Sequence, residues 1–457
     1  MSVIASLIHK NTYGYEDAFG VKDCTSDSMK AAINEWFNLY FEQEATEEED
    51  PCQRIPYIVV NTLGKTAFSE YSATCDNEFA QAVINSLNKK KGKAMQMALI
   101  GGECLLKPLP DADKWRWTVV SRANMLVFGR DADGNPTDIG TIERTTKGSM
   151  YYTLLERRFV EDGYLTIRYM LYKSANAGSL GSRCSLGELP QYAGFEPEYT
   201  FNDKIGSIGL VRMKTPMENC VDGSDDGVSV YAAAVGLIHN INRNEAQLNG
   251  EFDRGESRII TSADMLKKDK NGNKHLADHL FVGLDEDVEN VGVTIFSPAL
   301  RDQSFLARKA EYLRNVEGVI GLKRGLLSEV EAVERTAKEI TSSEGNYNLT
   351  IIDFQQMWED AIKEAVRLCG VLGKLYKVPG ACDVDPDEVT IDWGNGVLYD
   401  EDKTWADYVA MVADGLLKPE IAVGWRFGMP TETPEDLQKV REKYMPQIEE
   451  LIEDADA

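Results

Sequence analysis

Three short groups of potential ligands mark the 457-residue chain. His275 and His279 are four residues apart, a spacing that can put two imidazoles on one helix face for a metal. Their segment is rich in turn residues and offers no third ligand, so an exposed loop pair is the better reading. Asp131-Ala132-Asp133-Gly134-Asn135 has some calcium-loop character, but its glycine falls at the wrong place for an EF-hand loop. A tight turn fits it better. Asp383, Asp385 and Asp387 could imitate the carboxylates of a two-metal nuclease. They follow Pro379, which ends a helical pattern, and read as a solvated acidic loop. The phosphate loop GxxxxGK followed by Ser or Thr is missing, as are GxGxxG, HExxH and GxSxG. We therefore expect no catalytic residue, no metal, no cofactor and no enzymatic activity.

What remains is charge suited to weak contact. Arg301, Arg308, Lys309, Arg314, Lys323 and Arg324 gather on and after one helical segment, against Asp302, Glu311 and Glu317. A turn-rich stretch carries Lys267, Lys268, Lys270 and Lys274. Yet the whole chain has 49 basic and 75 acidic residues, a net charge of −26. An autonomous duplex binder is normally basic, because phosphate neutralisation dominates affinity. A surface along which DNA slides without sticking is compatible with this balance. Residues 379–457 alone hold 20 acidic and 6 basic residues, −14 of the total −26.

Apolar residues make up 43 % of the chain, enough for two or three structural units. No apolar run approaches the ~20 residues of a membrane span. The stretch Met1 to Lys10 lacks the basic and long apolar regions of a signal peptide. The eight cysteines, Cys24, Cys52, Cys75, Cys104, Cys184, Cys220, Cys369 and Cys382, form no CxxC pair and read as reduced thiols.

The elements that must position these residues follow from periodicity. Residues 27–43 show helical spacing through Ile33, Trp36, Phe37 and Tyr40, and an acidic loop, 42–50, follows. Residues 61–72 and 77–98 read as two more helices. From Trp115 to Tyr172, β-rich runs broken by Asp133-Gly134-Asn135-Pro136 and Asp162-Gly163 suggest one antiparallel meander. Residues 229–253 then place Val230, Ala234, Leu237, Ile241, Leu248 and Phe252 on one face, a helix about 37 Å long. A small β block spans 256–300. A second helix, 301–322, puts Phe305, Leu313, Val316 and Ile320 on one face, with Arg308, Glu311, Arg314 and Asn315 opposite. A short segment, 323–335, leads to a third helix, 336–377. A strand at 388–393 and two C-terminal helices, around Val409 and Leu437, complete the chain. A helix pair projecting a small β tip cannot bury its apolar stripe alone. A closed ring of identical subunits would cover it; a helical hairpin with a β insertion in a monomeric α+β protein is the alternative.

In this order the sequence resembles the portal proteins of tailed bacteriophages, specifically the SPP1-like class. Gly227-Val228-Ser229-Val230-Tyr231 opens the first long helix as in that family. Arg258-Ile259-Ile260 starts the block between the helices, and Ser297-Pro298-Ala299-Leu300-Arg301 precedes the second. Gly325-Leu326-Leu327-Ser328 and Thr336-Ala337-Lys338-Glu339-Ile340 resemble the signals before the longest helix. Asp414-Gly415-Leu416-Leu417 and Phe427-Gly428-Met429 match the C-terminal helical region. Gly101-Gly102, Leu105, Lys107, Tyr152-Thr153-Leu154-Leu155-Glu156 and Leu171-Tyr172-Lys173-Ser174 fit the N-terminal half. Lys338 stands where the family usually has Thr. Gly394-Asn395-Gly396 replaces its usual acidic residue after Ile391-Asp392-Trp393.

The resemblance implies an α+β portal-protein fold with wing, long-helix stem, small β clip, tunnel loop and helical crown. Residues 1–225 and 336–403 would form the wing, 226–254 and 301–322 the stem, 255–300 the clip, 323–335 the tunnel loop and 404–457 the crown. It implies a ring of about twelve subunits at the capsid vertex of a virion, assembled in the host cytoplasm. Double-stranded DNA would pass through weakly and non-specifically, with no membrane involved. Arg308, Glu311 and Arg314 would line the stem. Lys323, Arg324, Gly325, Val330, Glu331, Val333 and Arg335 would form the tunnel loop. Lys267, Lys268, Lys270 and Lys274 would dock the terminase large subunit and the head-completion adaptor. Major capsid and scaffolding proteins would be further partners. The competing readings are another head–tail connector or structural virion protein, and a metal-dependent nuclease centred near Asp383.

Overall fold

The computed structural model describes residues 14–41, 51–111, 114–255, 258–261, 266–268, 274–276, 293–296, 299–329, 337–394, 401–431 and 433–445. These form two compact units: Met1–Ala67 with Ala73–Thr390, and Phe68–Ser72 with Ile391–Ala457. The fold is mixed α+β with antiparallel sheets.

The first unit opens with helices α1 (Tyr15–Phe19), α2 (Asp27–Phe41) and α3 (Ile55–Ala67). α3 begins earlier than its periodicity suggested, because Pro56 in its first turn starts a helix rather than breaking one. A short strand, β1 (Ser72–Thr74), precedes α4 (Glu78–Asn88) and α5 (Lys91–Gly101). The sequence pattern read as one helix over 77–98 is therefore two. Asn77 caps the first, its side chain accepting from the amides of Phe79 at 3.0 Å and Ala80 at 3.1 Å.

The expected single meander is two sheets. Strands β2 (Glu103–Asp111) and β3 (Lys114–Ser121) pair with each other, and β2 pairs with β10 (Val211–Lys214). The other sheet runs β4 (Met125–Arg130), β5 (Pro136–Lys147), β6 (Met150–Glu161), β7 (Tyr164–Ser174) and β8 (Ser182–Cys184), with β9 (Glu198–Lys204) also on β7. The run TVVSRANMLVF is thus cut by a 3-10 turn at Arg122–Asn124, where the chain leaves one sheet for the other. The Asp162-Gly163 signal behaves as read. Glu161 pairs with Tyr164 across a two-residue loop in which both residues have positive φ, 52° and 87°. Apolar clusters pack between these layers. One joins Tyr15 and Phe19 to Leu126, Phe128, Leu155 and Met170.

Next come α6 (Val235–Arg254), the nested strands β11 (Arg258–Thr261), β12 (Leu266–Lys268), β13 (Lys274–Leu276) and β14 (Val293–Phe296), and α7 (Asp302–Ile320). β11 pairs antiparallel with β14, and β12 with β13. Helix α8 spans Ala337–Leu375, 39 residues, and buries Ile351, Phe354, Trp358, Ile362, Val366 and Leu372. Strand β15 (Thr390–Asp392) carries the chain out of the first unit.

Among the described residues the second unit holds three helices where two were expected: α9 (Glu401–Ala413), α10 (Pro419–Arg426) and α11 (Pro434–Tyr444). The extra one, α10, is 8 residues long, too short to show a clear apolar period. Tyr408 and Trp425 pack edge to face at 5.1 Å, and Phe427 stacks on Tyr444 at 4.4 Å.

Candidate functional site

The site is built on α6 and α7, so the way α6 is seated comes first. Gly227 and Gly102 lie backbone against backbone. A Cβ on Gly227 would stand 2.3 Å from the Gly102 carbonyl oxygen, and one on Gly102 would stand 2.2 Å from Gly227. The Thr215 hydroxyl lies 2.9 Å from the Gly102 carbonyl oxygen and 2.7 Å from that of Val228. Ser229 Oγ and the Val230 amide both donate to the Leu99 carbonyl, at 3.1 and 3.0 Å. Tyr231, fully buried, donates its hydroxyl to the Trp36 carbonyl at 2.7 Å. The Gly227-to-Tyr231 motif is therefore a plug that fixes the base of α6 on the α/β body.

A buried charge network backs this plug. Arg122 Nε lies 2.9 Å from Glu103 Oε1, and Arg212 Nε 2.7 Å from Glu103 Oε2. Asp226, one residue before the plug, takes Arg122 at 3.0 Å and Arg130 at 2.5 Å. Burial would raise the Glu103 pKa, but Arg212 and Arg122 outweigh it and hold the carboxyl below its ordinary value. Sequence reading missed this network. Arg122 and Glu103 lie in apolar, strand-like runs, and a charge in such a run is the signal that could have found it.

Contacts along α6 and α7 run in opposite order: Glu251 with Arg301 at 2.7 Å, Glu245 with Lys309 at 2.7 Å, and Asn244 Nδ2 donating to the Phe305 carbonyl at 3.1 Å. The helices are thus antiparallel. Ile238, Ile241 and Leu248 of α6 and Val316 and Ile320 of α7 are buried. Phe252, Leu306 and Val319 stay 49 %, 46 % and 50 % exposed.

Of the predicted stem residues, Arg308 and Glu311 are exposed and Arg314 is half-buried. They share one helix but not one point on it. At 100° per residue they fan over about 120°. Arg308 Nε donates to the Tyr312 hydroxyl at 2.8 Å, and a small polar cleft sets it with Asn240, Arg243, Asn244 and Gln247 of α6.

Lys323, Arg324 and Gly325 occupy one exposed turn after α7, and Gly325 has φ 92°. The residue that holds this turn is Glu317, which is fully buried. Its Oε1 accepts from the amides of Gly325 at 3.2 Å, Leu327 at 2.6 Å and Ser328 at 2.9 Å, and its Oε2 from Ser328 Oγ at 2.8 Å. Sequence reading counted Glu317 only in the charge balance of this helix. Its place beside Val316 and Ile320, on the apolar face, was the available signal. Val330, Glu331, Val333 and Arg335 lie outside the described residues, as does Lys270. Lys267 and Lys268 on β12 and Lys274 on β13 are placed by backbone pairing, with Lys268 opposite Lys274.

The other candidate ligands have local explanations. Asp131 Oδ1 accepts from the amides of Asn135 at 2.7 Å and Asp133 at 3.0 Å, which makes the segment a tight turn. The Asn135 amide leads in lowering that carboxyl's pKa. Asp383 pairs with Lys374, and Asp385 Oδ1 accepts from the Asp387 amide at 3.1 Å. His275 lies on a strand, where residues four apart do not share a helix face, and His279 lies outside the described residues. Among the described residues, no three His, Cys, Asp or Glu side chains gather as a metal set.

No protein-family model and no curated protein matches the sequence. A solved chain from the neck of a native GTA particle, computed with C12 symmetry, is similar to this one. The two share 14 % identity at a TM-score of 0.48, over 91 % of this chain and 98 % of that chain. Among the described residues, no helix is long and apolar enough to cross a membrane. The arrangement offers an antiparallel helix pair followed by a turn with exposed cations.

Proposed function

We propose that the chain is a phage portal subunit that assembles into a ring for DNA passage at a capsid vertex. The observation that carries this reading is the antiparallel pair α6 and α7. It is plugged into the body at the base of α6, bridged at the far end by nested β pairs, and followed by a turn clamped by Glu317. Among the described residues, Phe252, Leu306 and Val319 on that pair stay about half exposed. Apolar side chains on long helices favour burial against neighbouring copies, and a ring gives every copy the same cover.

In this reading α6 and α7 are the stem, the β pairs are the clip that docks terminase and adaptor, and 323–335 is the tunnel loop. Exposed cations such as Arg308, Lys323 and Arg324, set in a chain of net charge −26, suit centring a duplex without gripping it. ATP hydrolysis would belong to the docked terminase. The test is electron microscopy of the purified chain. Rings of about twelve copies with an axial hole are expected. A chain that stays monomeric at every concentration and cuts DNA with a divalent metal would overturn the reading.

A further inference from the structure

The first unit contains a cavity of about 1010 Å³ lined by strands β2, β3, β5, β6 and β7 and by residues 191–199. Three aromatic residues of its wall, Phe195, Tyr199 and Tyr376, stay 37 %, 42 % and 43 % exposed. Phe195 packs on Tyr169 at 4.9 Å, and Tyr199 and Tyr376 both pack on Phe201, at 4.9 and 5.7 Å. The rings are thus held in place from one side. Rings left open in a concave wall offer stacking faces to a planar ligand.

The polar groups of the wall are of two kinds. Lys107 is 5 % exposed, and its ammonium donates to Glu156 Oε2 at 2.8 Å. Glu143 stands 3.8 Å from the same nitrogen, beyond hydrogen-bond range. Among the described residues Glu156 is the one hydrogen-bond acceptor of Lys107, so two of its three ammonium donors stay open to a ligand. Glu143 accepts from the Tyr192 hydroxyl at 3.0 Å and, being exposed, keeps lone pairs free. A spare donor therefore lies beside a spare acceptor. Arg158 pairs with Glu156 at 2.5 Å, so two cations balance two carboxylates here and the place suits a neutral polar edge. The exposed lining differs. Lys89, Lys90, Lys114 and Arg116 meet only Glu143 and Glu196, a cationic edge on a chain of net charge −26.

Open rings, a neutral donor–acceptor pair and a cationic edge suit one ligand class together. A nucleobase is planar, carries an acceptor next to a donor on its pairing edge, and is joined to an anionic phosphate. We infer that this cavity binds a nucleotide, free or as an unpaired residue of a single strand. The base lies among Phe195, Tyr199 and Tyr376, its edge meets Lys107 and Glu143, and the phosphate lies toward Lys89, Lys90 and Lys114. A duplex is excluded, because its bases are stacked and their pairing edges taken. The site shares no lining residue with α6 or α7 and stands independently of the ring reading.

The experiment is calorimetric titration of the full chain with dAMP, deoxyadenosine, inorganic phosphate and single-stranded oligo(dA). dAMP should bind, and phosphate alone should bind about tenfold more weakly or worse. Phe195→Ala/Tyr199→Ala removes two exposed rings and should weaken dAMP by about tenfold or more. Lys89→Gln/Lys90→Gln/Lys114→Gln should weaken dAMP by about threefold and leave deoxyadenosine unchanged. Lys107→Met would strip Glu156 of a buried partner, so Glu143→Ala, on an exposed side chain, reports on the base edge instead. It should weaken dAMP and deoxyadenosine to the same degree. Oligo(dA) binding tighter than dAMP supports the strand as the source, and dAMP binding alone supports the free nucleotide. Phosphate binding as tightly as dAMP would make this a plain anion site and overturn the inference. So would dAMP affinity that survives loss of both rings, or a glutamate-rich peptide that binds while dAMP and oligo(dA) do not.

Discussion

Replacing Glu317 by alanine removes one carboxylate that four donors share. The donors differ in what they lose. Ser328 is buried, Leu327 half-buried and Gly325 exposed. A hydrogen bond to a charged group is worth about 1.5–3 kcal/mol, and a buried donor left unmade costs about 1–3 kcal/mol. Counting Ser328 fully, Leu327 in part and Gly325 as rehydrated gives about 3–5 kcal/mol. That energy is local to 321–329, so the turn should open before the domain unfolds. Hydrogen exchange read by mass spectrometry checks it. The Leu327 and Ser328 amides should exchange about 100- to 4000-fold faster in Glu317→Ala, since 1.4 kcal/mol is tenfold. Glu317→Gln keeps an acceptor for the amides, and Ser328 Oγ can rotate to accept from the new NH₂. Its exchange should stay within about tenfold of wild type. Unchanged exchange in the alanine variant refutes the clamp. Glutamine behaving as badly as alanine shows that charge, rather than acceptor geometry, holds the turn.

Gly227→Ala puts a methyl group 2.3 Å from the Gly102 carbonyl oxygen, so the base of α6 must shift; thermal unfolding should show a loss of about 3 kcal/mol or more. Burial would raise the Glu156 pKa, but Lys107 and Arg158 outweigh it and lower it from 4.5 to about 2. A lowered carboxylate pKa stabilises the fold above the unfolded value, and that stability is lost as pH falls through the folded value. Urea midpoints should therefore fall between about pH 5 and 2, and the Glu156→Gln variant should lose part of that slope. Reversing Lys267, Lys268, Lys270 and Lys274 to glutamate should leave assembly intact and weaken terminase or adaptor binding in pull-down; undiminished binding would remove the clip's docking role.

Local signals were enough for much of this chain. The amphipathic stripes of α2, α6, α7 and α8, the Asp162-Gly163 hairpin and the β block between α6 and α7 all follow from short-range periodicity and turn chemistry. Residues within one or two turns of each other decide those features. The order of those elements, with the Gly227-to-Tyr231 motif at the base of α6, also carries the portal reading. Tertiary structure decided what depends on partners far apart in sequence. TVVSRANMLVF is a continuous β-like run, yet it splits at Arg122, because that guanidinium must meet Glu103, Thr25 and Asp226 in the interior. An unpaired buried cation would be too costly there. Glu317 shows the same limit. Its spacing identifies a charge on an apolar face, but what it holds is set by how the chain turns back over the end of α7. A buried polar group takes its role from the donors that folding brings to it, and no local pattern encodes which those will be.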